Sequence, residues 1–170
     1  MSLELLKPLK NSFINNLDEK YLQGSFFNKI KIHNLLNHTS GLTYGTFGTS
    51  FAKKRLKSSE ISKLNLEDIS LKQYVKELAK FPLAYNPNVV WEYGRSIEVL
   101  GRVIEIASNK TLDVYLKDKI FKPLDMMDTA FYVDESKWHR IAEPFKDKQP
   151  KLINIRDKPN FLTGGHGLVS

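Results

Sequence analysis

The sequence contains no cysteine, which excludes disulfides, a thiol nucleophile and a cysteine-ligated metal site. It also lacks any apolar run close to the ~18 residues that a helix needs to span a bilayer. The first residues do not have the basic and then apolar layout that is typical of a signal peptide. We therefore expect no membrane span, and the sequence leaves the compartment open.

Dense positive charge is scarce too, although the formal net charge is +7. The lysines and arginines are scattered along the chain, and only Lys53–Lys57 forms a compact basic run. No helix-turn-helix, zinc finger or aromatic-basic signature accompanies this run. We interpret it as a solvated loop and do not expect the chain to bind nucleic acid.

The four histidines share no spacing that would let them bind a metal ion together. They are His33, His38, His139 and His166. The sequence thus predicts no metal site, and nothing in it indicates a cofactor. We interpret His38-Thr39-Ser40-Gly41 as a helix-end turn with satisfied polar side chains rather than as a catalytic pair.

Apolar periodicity predicts four helices after residue 28. The first has Ile32, Leu35 and Leu36 on one face and ends at Gly41, and the second runs from the N-cap Ser70 to Pro82. The third is led by Tyr93 and ends at Ser108-Asn109, and the fourth is capped by Thr111 and ends at Pro123. Gly101 lies inside the third helix, where it costs about 1 kcal/mol relative to Ala. This glycine therefore predicts that another element packs close to the helix backbone.

Turns and strands are expected between and after these helices. The fourth helix should turn Leu112, Tyr115, Leu116 and Ile120 inward, and Asn88, Asn109 and Asp125 stand where a left-handed residue is favoured. The β-prone run 89–91 and the segment 130–133 are interpreted as short strands, Trp91 as a core residue, and residues 43–63 as a mobile loop. The fold class is therefore mainly α with short β-strands. One domain is expected, with an irregular segment at 1–28 and the domain proper at 29–170.

Blocks of sequence in a definite order resemble the serine hydrolases that include class C β-lactamases, penicillin-binding proteins, D-alanyl-D-alanine peptidases and β-lactamase-like esterases. The blocks are residues 30–42 with His38-Thr39-Ser40-Gly41-Leu42, residues 81–93 ending in Trp91-Glu92-Tyr93, residues 99–105 with 120–129, and Gly164-Gly165-His166-Gly167-Leu168. The resemblance implies that residues 29–170 are the helical subdomain of this α/β fold, ending before its C-terminal strands. The spacing from Tyr93 to Leu100-Gly101 is most similar to that of the esterases.

The resemblance also implies a chemistry, in which a serine attacks a carbonyl, a nearby lysine shares its proton, and a tyrosine is the general base. Tyr93 stands at the tyrosine position, so it is the predicted catalytic residue. A free phenol titrates near pH 10, and the cation that such a base needs comes from the lysine of this family. We expect Tyr93 at the rim of the domain, with its hydroxyl directed away from the core.

The nucleophile does not match the family pattern. The family places Ser-x-x-Lys before the His-Thr-Ser-Gly-Leu block, whereas Ser50-Phe51-Ala52-Lys53 follows it. With this many serines and lysines about one or two such spacings arise by chance, so no nucleophile is identified and Ser50 and Lys53 are judged a chance match. Asp125 replaces a family glycine, and Gly94 replaces a frequent serine after the tyrosine.

Two functions stay open on this basis. In the first, the chain is a piece of a serine hydrolase that acts on a small-molecule ester, β-lactam or D-alanyl peptide, and the isolated chain is inactive. In the second, it is a non-catalytic binding or interaction module derived from the same fold. In the first case an exposed apolar face is expected, through which the isolated chain would associate with itself, whereas a chain that stays monomeric would favour the module.

Overall fold

The computed structural model describes residues 30–44, 69–79, 83–142, 154–165 and 167–170, and its regular elements are helices. They are α1 (Ile32–Leu36), α2 (Leu71–Leu78), α3 (Ser96–Ser108) and α4 (Leu112–Leu116), which runs into a π-helical turn (Lys117–Phe121), followed by a 3₁₀ helix (Glu135–Arg140). Over these residues β structure is limited to one antiparallel bridge between Ala130 and Val169. The expectation of a mainly α chain is confirmed for the described part.

The start of α2 and the end of α3 follow the predicted signals, whereas α3 begins at Ser96, three residues after the predicted start at Tyr93. Ser70 caps α2 in a capping box, in which Gln73 N–H donates to Ser70 Oγ at 3.2 Å and Ser70 N–H donates to Gln73 Oε1 at 2.8 Å. Asn109 ends α3 with φ +53°, and Asn88 and Asp125 also have positive φ, as predicted. Local sequence therefore decides where α2 begins and where α3 ends.

Helix α3 is the centre of the structure, because α1, α2 and α4 all pack against it. An ideal Cβ at Gly101 would lie 3.1 Å from a methyl of Leu112 on α4 and 3.3 Å from a methyl of Leu71 on α2. The predicted close approach at Gly101 is thus confirmed. The core around Gly101 consists of buried side chains from the four helices and from the segments after them. They include Leu35, Leu71, Tyr74, Leu78, Val99, Val103, Leu112, Phe131, Phe161 and Leu162.

The end of α1 differs from the prediction, since the helix stops at Leu36 rather than at Gly41. His38 takes the left-handed conformation with φ +57°, and Thr39 N–H donates to the carbonyl of Asn34 at 2.9 Å. This is the bond that closes a helix in a Schellman motif, so His38 does here what glycine usually does. Gly41 has φ +80° as well, but it serves a later turn.

The inward face of the fourth helix also differs from the prediction at its C-terminal end. Ile120 is 39% exposed, whereas its neighbour Phe121 is buried. The cause is the π-helical turn, in which Lys122 N–H donates to the carbonyl of Lys117, five residues earlier. One extra residue in the turn rotates the following side chains and brings Phe121 inward in place of Ile120.

The two predicted strands are wrong apart from one bridge. Residues 87–89 form a turn, and in 130–133 only Ala130 exchanges backbone bonds with Val169, while Val133 N–H donates to the carbonyl of Ile155 at 2.7 Å. A β-prone run becomes a strand only where a neighbouring strand offers a continuous row of partners. Trp91, expected in the core, is 66% exposed.

Some of the remaining predictions concern residues that the structure does not describe. The segment 1–28, most of the loop 43–63, and Ser50, Lys53, Pro82 and His166 lie outside the described residues. Within the described ranges no helix is long and apolar enough to cross a membrane. In the same ranges no three histidine or acidic side chains form a group that would hold a metal ion.

Candidate active site

Two segments that are far apart in sequence form the surroundings of Tyr93. Residues 38–44 lie beside residues 84–95, and four backbone hydrogen bonds join them, from Ala84, Asn88, Glu92 and Arg95 N–H to the carbonyls of Gly41, Thr39, His38 and Leu42 at 2.8–3.1 Å. These bonds do not form a regular ladder, so the pairing is irregular. They fix the backbone on both sides of Tyr93 before α3 begins.

Gly94, which follows Tyr93, is required by this pairing. An ideal Cβ at Gly94 would overlap the carbonyl oxygen of Leu42 and lie 2.8 Å from Thr43 Cα. Both obstacles are backbone atoms, so no side-chain rotation relieves the clash. The glycine that departs from the family serine is therefore explained by backbone contact with the His-Thr-Ser-Gly-Leu block.

The polar residues of that block are structural, as the sequence predicts for a helix-end turn. Ser40 and Ser96 are fully buried, and their hydroxyls are hydrogen-bonded to each other at 2.8 Å. Ser40 Oγ also accepts from Leu42 N–H at 3.1 Å, and Thr39 Oγ1 donates to Asn37 Oδ1 at 2.6 Å. The expectation of satisfied side chains holds for Thr39 and Ser40. It is wrong for His38, whose Nδ1 is buried without a hydrogen-bond partner among the described residues.

Tyr93 lies at the surface, three residues before α3, and 48% of it is exposed. Its ring contacts two other rings at tilted angles, His38 with centroids 4.9 Å apart and Tyr44 with centroids 5.6 Å apart. The edge of Trp91 in turn lies against His38, with centroids 6.2 Å apart. We call these four residues the aromatic row. The predicted rim position of Tyr93 agrees with this exposure, while its role as general base stays a prediction.

Buried charge lies behind the aromatic row. Glu98, in the first turn of α3, is only 3% exposed, and the hydroxyl of Tyr44 donates to its Oε1 at 2.8 Å. The Arg95 guanidinium lies 5.0 Å from the Tyr44 ring centroid and 5.4 Å from that of Tyr74, and it donates to the Tyr74 hydroxyl. Tyr44, Arg95 and Glu98 were not singled out in the sequence. The available signal was an arginine and a carboxylate at the start of a helix whose other residues are mostly apolar.

Burial changes the pKa values of Tyr44 and Arg95. Burial, reinforced by the hydrogen bond to Glu98, raises the pKa of the Tyr44 phenol well above its usual range. Burial lowers the pKa of Arg95, and the nearby Glu98 and Tyr44 oppose that change. The raised pKa agrees with the geometry, in which the Tyr44 hydroxyl donates to Glu98.

An apolar cavity of about 570 Å³ lies elsewhere along α3. Its walls include Ile97, Leu100 and Ile104 from the helix, with Phe131 and Leu168 opposite. None of the aromatic row lines this cavity, so it is separate from the immediate surroundings of Tyr93.

Comparison with known proteins agrees with the resemblance read from the sequence. The beta-lactamase family model matches residues 2–170 and so includes residues 2–28 of the segment predicted to be irregular, whose boundary at residue 28 stays a prediction. The chain is 35% identical over 140 residues to esterase EstB of Burkholderia gladioli, covering 81% of this chain and 35% of that protein. It is 32% identical over 163 residues to the lovastatin esterase of Penicillium rubens, covering 89% of this chain and 39% of that protein.

The fold comparison gives the same result. The structure is similar to that of EstCE1, described as a hydrolase with promiscuous acyltransferase activity, with a TM-score of 0.59 and 24% identity over 82% of this chain and 42% of that one. At this identity the likeness shows the fold alone. The chain spans a little over a third of the length of these two curated relatives. Residues 2–170, with Tyr93 three residues before α3, belong to the beta-lactamase-like family of serine hydrolases.

Proposed function

We propose that this chain carries the general base of a serine hydrolase that cleaves esters through an acyl-serine. The observation that carries the proposal is Tyr93, exposed at the rim and held between the rings of His38 and Tyr44. Esters are favoured among the substrates left open, since both curated relatives above 30% identity are named esterases. β-Lactams and D-alanyl peptides present an amide carbonyl to the same kind of serine attack and are the other substrates to assay.

The proposed reaction has two halves. Tyr93 Oη accepts the proton of the serine hydroxyl while the serine oxygen forms a bond to the ester carbonyl carbon. The bond to the alcohol oxygen then breaks, and the alcohol leaves with the proton that Tyr93 accepted. Water, activated by the same tyrosine, next attacks the acyl-serine and releases the acid.

The serine and its lysine are assigned to sequence outside these 170 residues. Ser40 and Ser96 are buried and bonded to each other, and Ser50-x-x-Lys53 follows the block that a nucleophile of this family precedes. A base without a nucleophile has nothing to activate, so we propose that the isolated chain does not hydrolyse esters. The exposed part of the aromatic row, with Leu36 and Val89, is the apolar surface through which we propose that the isolated chain self-associates.

The test is Tyr93→Phe, made in this chain and in a full-length protein that joins it to the missing serine. Because Tyr93 is about half exposed, loss of its hydroxyl should change the free energy of unfolding of the chain by less than about 0.5 kcal/mol. Acylation of the full-length protein, followed as the burst with a chromogenic ester, should fall by about 10²–10⁴-fold. Tyr132→Phe, at a half-buried tyrosine outside the aromatic row, is the matched control and should leave the burst intact.

Two results would reject this function. If Tyr93→Phe destabilises the chain and leaves the burst unchanged, Tyr93 is a packing residue. If the full-length protein shows no burst and a fluorophosphonate labels no serine, the chain is part of a non-catalytic binding module. Labelling of the isolated chain at Ser50 would instead show that the nucleophile lies within these residues.

A further inference from the structure

Glu98 is a buried carboxyl group that the proposed reaction does not use. Its Oε1 accepts from the Tyr44 hydroxyl, and its Oε2 is buried without a hydrogen-bond partner among the described residues. A carboxyl group buried in this way is costly, and each unsatisfied oxygen adds to that cost. An apolar side chain could fill the same position on α3 without this cost of burial.

The contact that Glu98 does make holds Tyr44 in place together with Arg95. Glu98 binds the hydroxyl of Tyr44, while the Arg95 guanidinium lies over the face of its ring. Arg95 is the residue before α3 and is itself held by the Tyr74 hydroxyl on α2. Tyr44 is therefore fixed at its hydroxyl and at its face, although it belongs to a segment 54 residues away from Glu98.

Tyr44 in turn forms one of the two ring contacts of Tyr93. The two tyrosine rings are 5.6 Å apart with an angle of 53° between their planes, within the range in which aromatic pairs attract each other. Tyr93 is about half exposed, so these ring contacts restrict its orientation more than burial does. A loss of the bond between Tyr44 and Glu98 would release one side of Tyr93.

We propose that Glu98 is a positioning residue for Tyr93 and acts through the Tyr44 ring. Its catalytic consequence rests on the function proposed above, because a general base works only when its oxygen is held in reach of the proton it accepts. The alternative is that Glu98 is purely structural. It lies in the first turn of α3, where a negative charge interacts favourably with the helix dipole and stabilises the helix. That alternative predicts a loss of stability without any change at Tyr93.

The first experiment measures Tyr93 itself, in the 170-residue chain with ¹³C-labelled tyrosine. Tyr93→Phe identifies the Tyr93 ring resonances in the NMR spectrum. We expect Tyr44→Phe and Glu98→Ala to shift and broaden them, because both remove the bond between Tyr44 and Glu98. Glu98→Gln keeps an acceptor oxygen for Tyr44 and should restore the wild-type resonances.

Glu105→Ala is the matched control, since Glu105 lies on the same helix and binds Arg102 and the backbone of Leu112. It should lower stability and leave the Tyr93 resonances where they are. Unchanged Tyr93 resonances in folded Tyr44→Phe would overturn the proposal. If Glu98→Ala does not fold, Tyr44→Phe decides alone, because it keeps both the ring and the carboxyl group.

The second experiment uses the full-length protein with an ester substrate. Tyr44→Phe should lower kcat by roughly 10–100-fold with KM changed less than about twofold, the result expected for a misplaced base. An unchanged kcat would overturn the positioning role even if the resonances move. If Tyr93→Phe itself leaves turnover intact, the proposed function fails, whereas the link from Glu98 to the Tyr93 ring is still judged by NMR.

Discussion

The segments around Tyr93 and the region from α4 to the 3₁₀ helix are built in different ways. Around Tyr93 two side-chain bonds join residues more than 50 positions apart, namely Ser40–Ser96, which is buried, and Tyr44–Glu98, which is partly buried. From residue 112 to residue 142 many are short-range and exposed, as in Lys122–Asp118 and Ser136–Asp134. The candidate active site thus depends on the tertiary fold, whereas the second region is supported by many contacts between near neighbours in sequence.

This difference implies unequal tolerance of substitution. An exposed ion pair contributes about 0.2–1 kcal/mol, and water replaces most of it when it is lost. A buried hydroxyl or a backbone contact has no water to replace it. Substitutions of the same type should therefore be more damaging around Tyr93 than in residues 112–142.

The largest effect is expected from Gly94→Ala. The new methyl would meet backbone atoms of Leu42 and Thr43, so the variant should lose about 3 kcal/mol or more of unfolding free energy in urea. Gly101→Ala is the control, because its methyl would meet the ends of two leucine side chains and its helix propensity improves by about 1 kcal/mol. Equal losses for the two variants would show that the pairing beside Tyr93 is no tighter than the helix packing.

A smaller effect is expected from Ser40→Ala. It leaves the buried Ser96 hydroxyl and the Leu42 N–H without their partner, so about 1–3 kcal/mol of unfolding free energy should be lost. Ser136→Ala removes an exposed hydroxyl that is bonded to Asp134, and should cost less than about 0.5 kcal/mol. In a double-mutant cycle Ser40→Ala and Ser96→Ala should not be additive, and additivity would exclude a shared bond.

The smallest effect is expected from Asp128→Asn in the second region. Hydrogen bonds from Lys137 and then Arg140 lower the pKa of the Asp128 carboxyl group in the folded chain. The folded pKa therefore lies below the unfolded value of about 3.9, so the stabilisation is complete above that value and is lost as the pH falls through the folded pKa. Asp128→Asn should lower the urea midpoint slightly at pH 7, and the difference should vanish in acid and shrink with added salt.

Asp125→Asn is the control for charge three residues before Asp128, because Asn also tolerates the left-handed conformation of residue 125. It should leave the urea midpoint nearly unchanged at every pH. If Asp125→Asn and Asp128→Asn behave alike, net charge rather than the ion pairs explains the pH dependence.

Prediction from the sequence succeeded where the determinant is local. The Ser70 cap, the left-handed Asn88, Asn109 and Asp125, and the end of α3 each depend on one residue and its neighbours. It failed where the buried face of a helix shifts partway along the helix. Nothing in a periodic pattern marks the π-helical turn that brings Phe121 inward. It also failed for Trp91, since an exposed aromatic residue and a buried one look alike in sequence.

The candidate site was likewise predictable from the sequence only in part. The order of the family motifs identified the family and selected Tyr93, because each motif is a short run of residues that can be read without a structure. Only the tertiary structure brought His38, Tyr44 and Glu98 into the surroundings of Tyr93, and only it gave a reason for Gly94. The physical reason is that ring contacts, buried hydrogen bonds and backbone clashes act between residues that are neighbours in space, and sequence separations of more than 50 residues carry no information about such distances until the chain has folded.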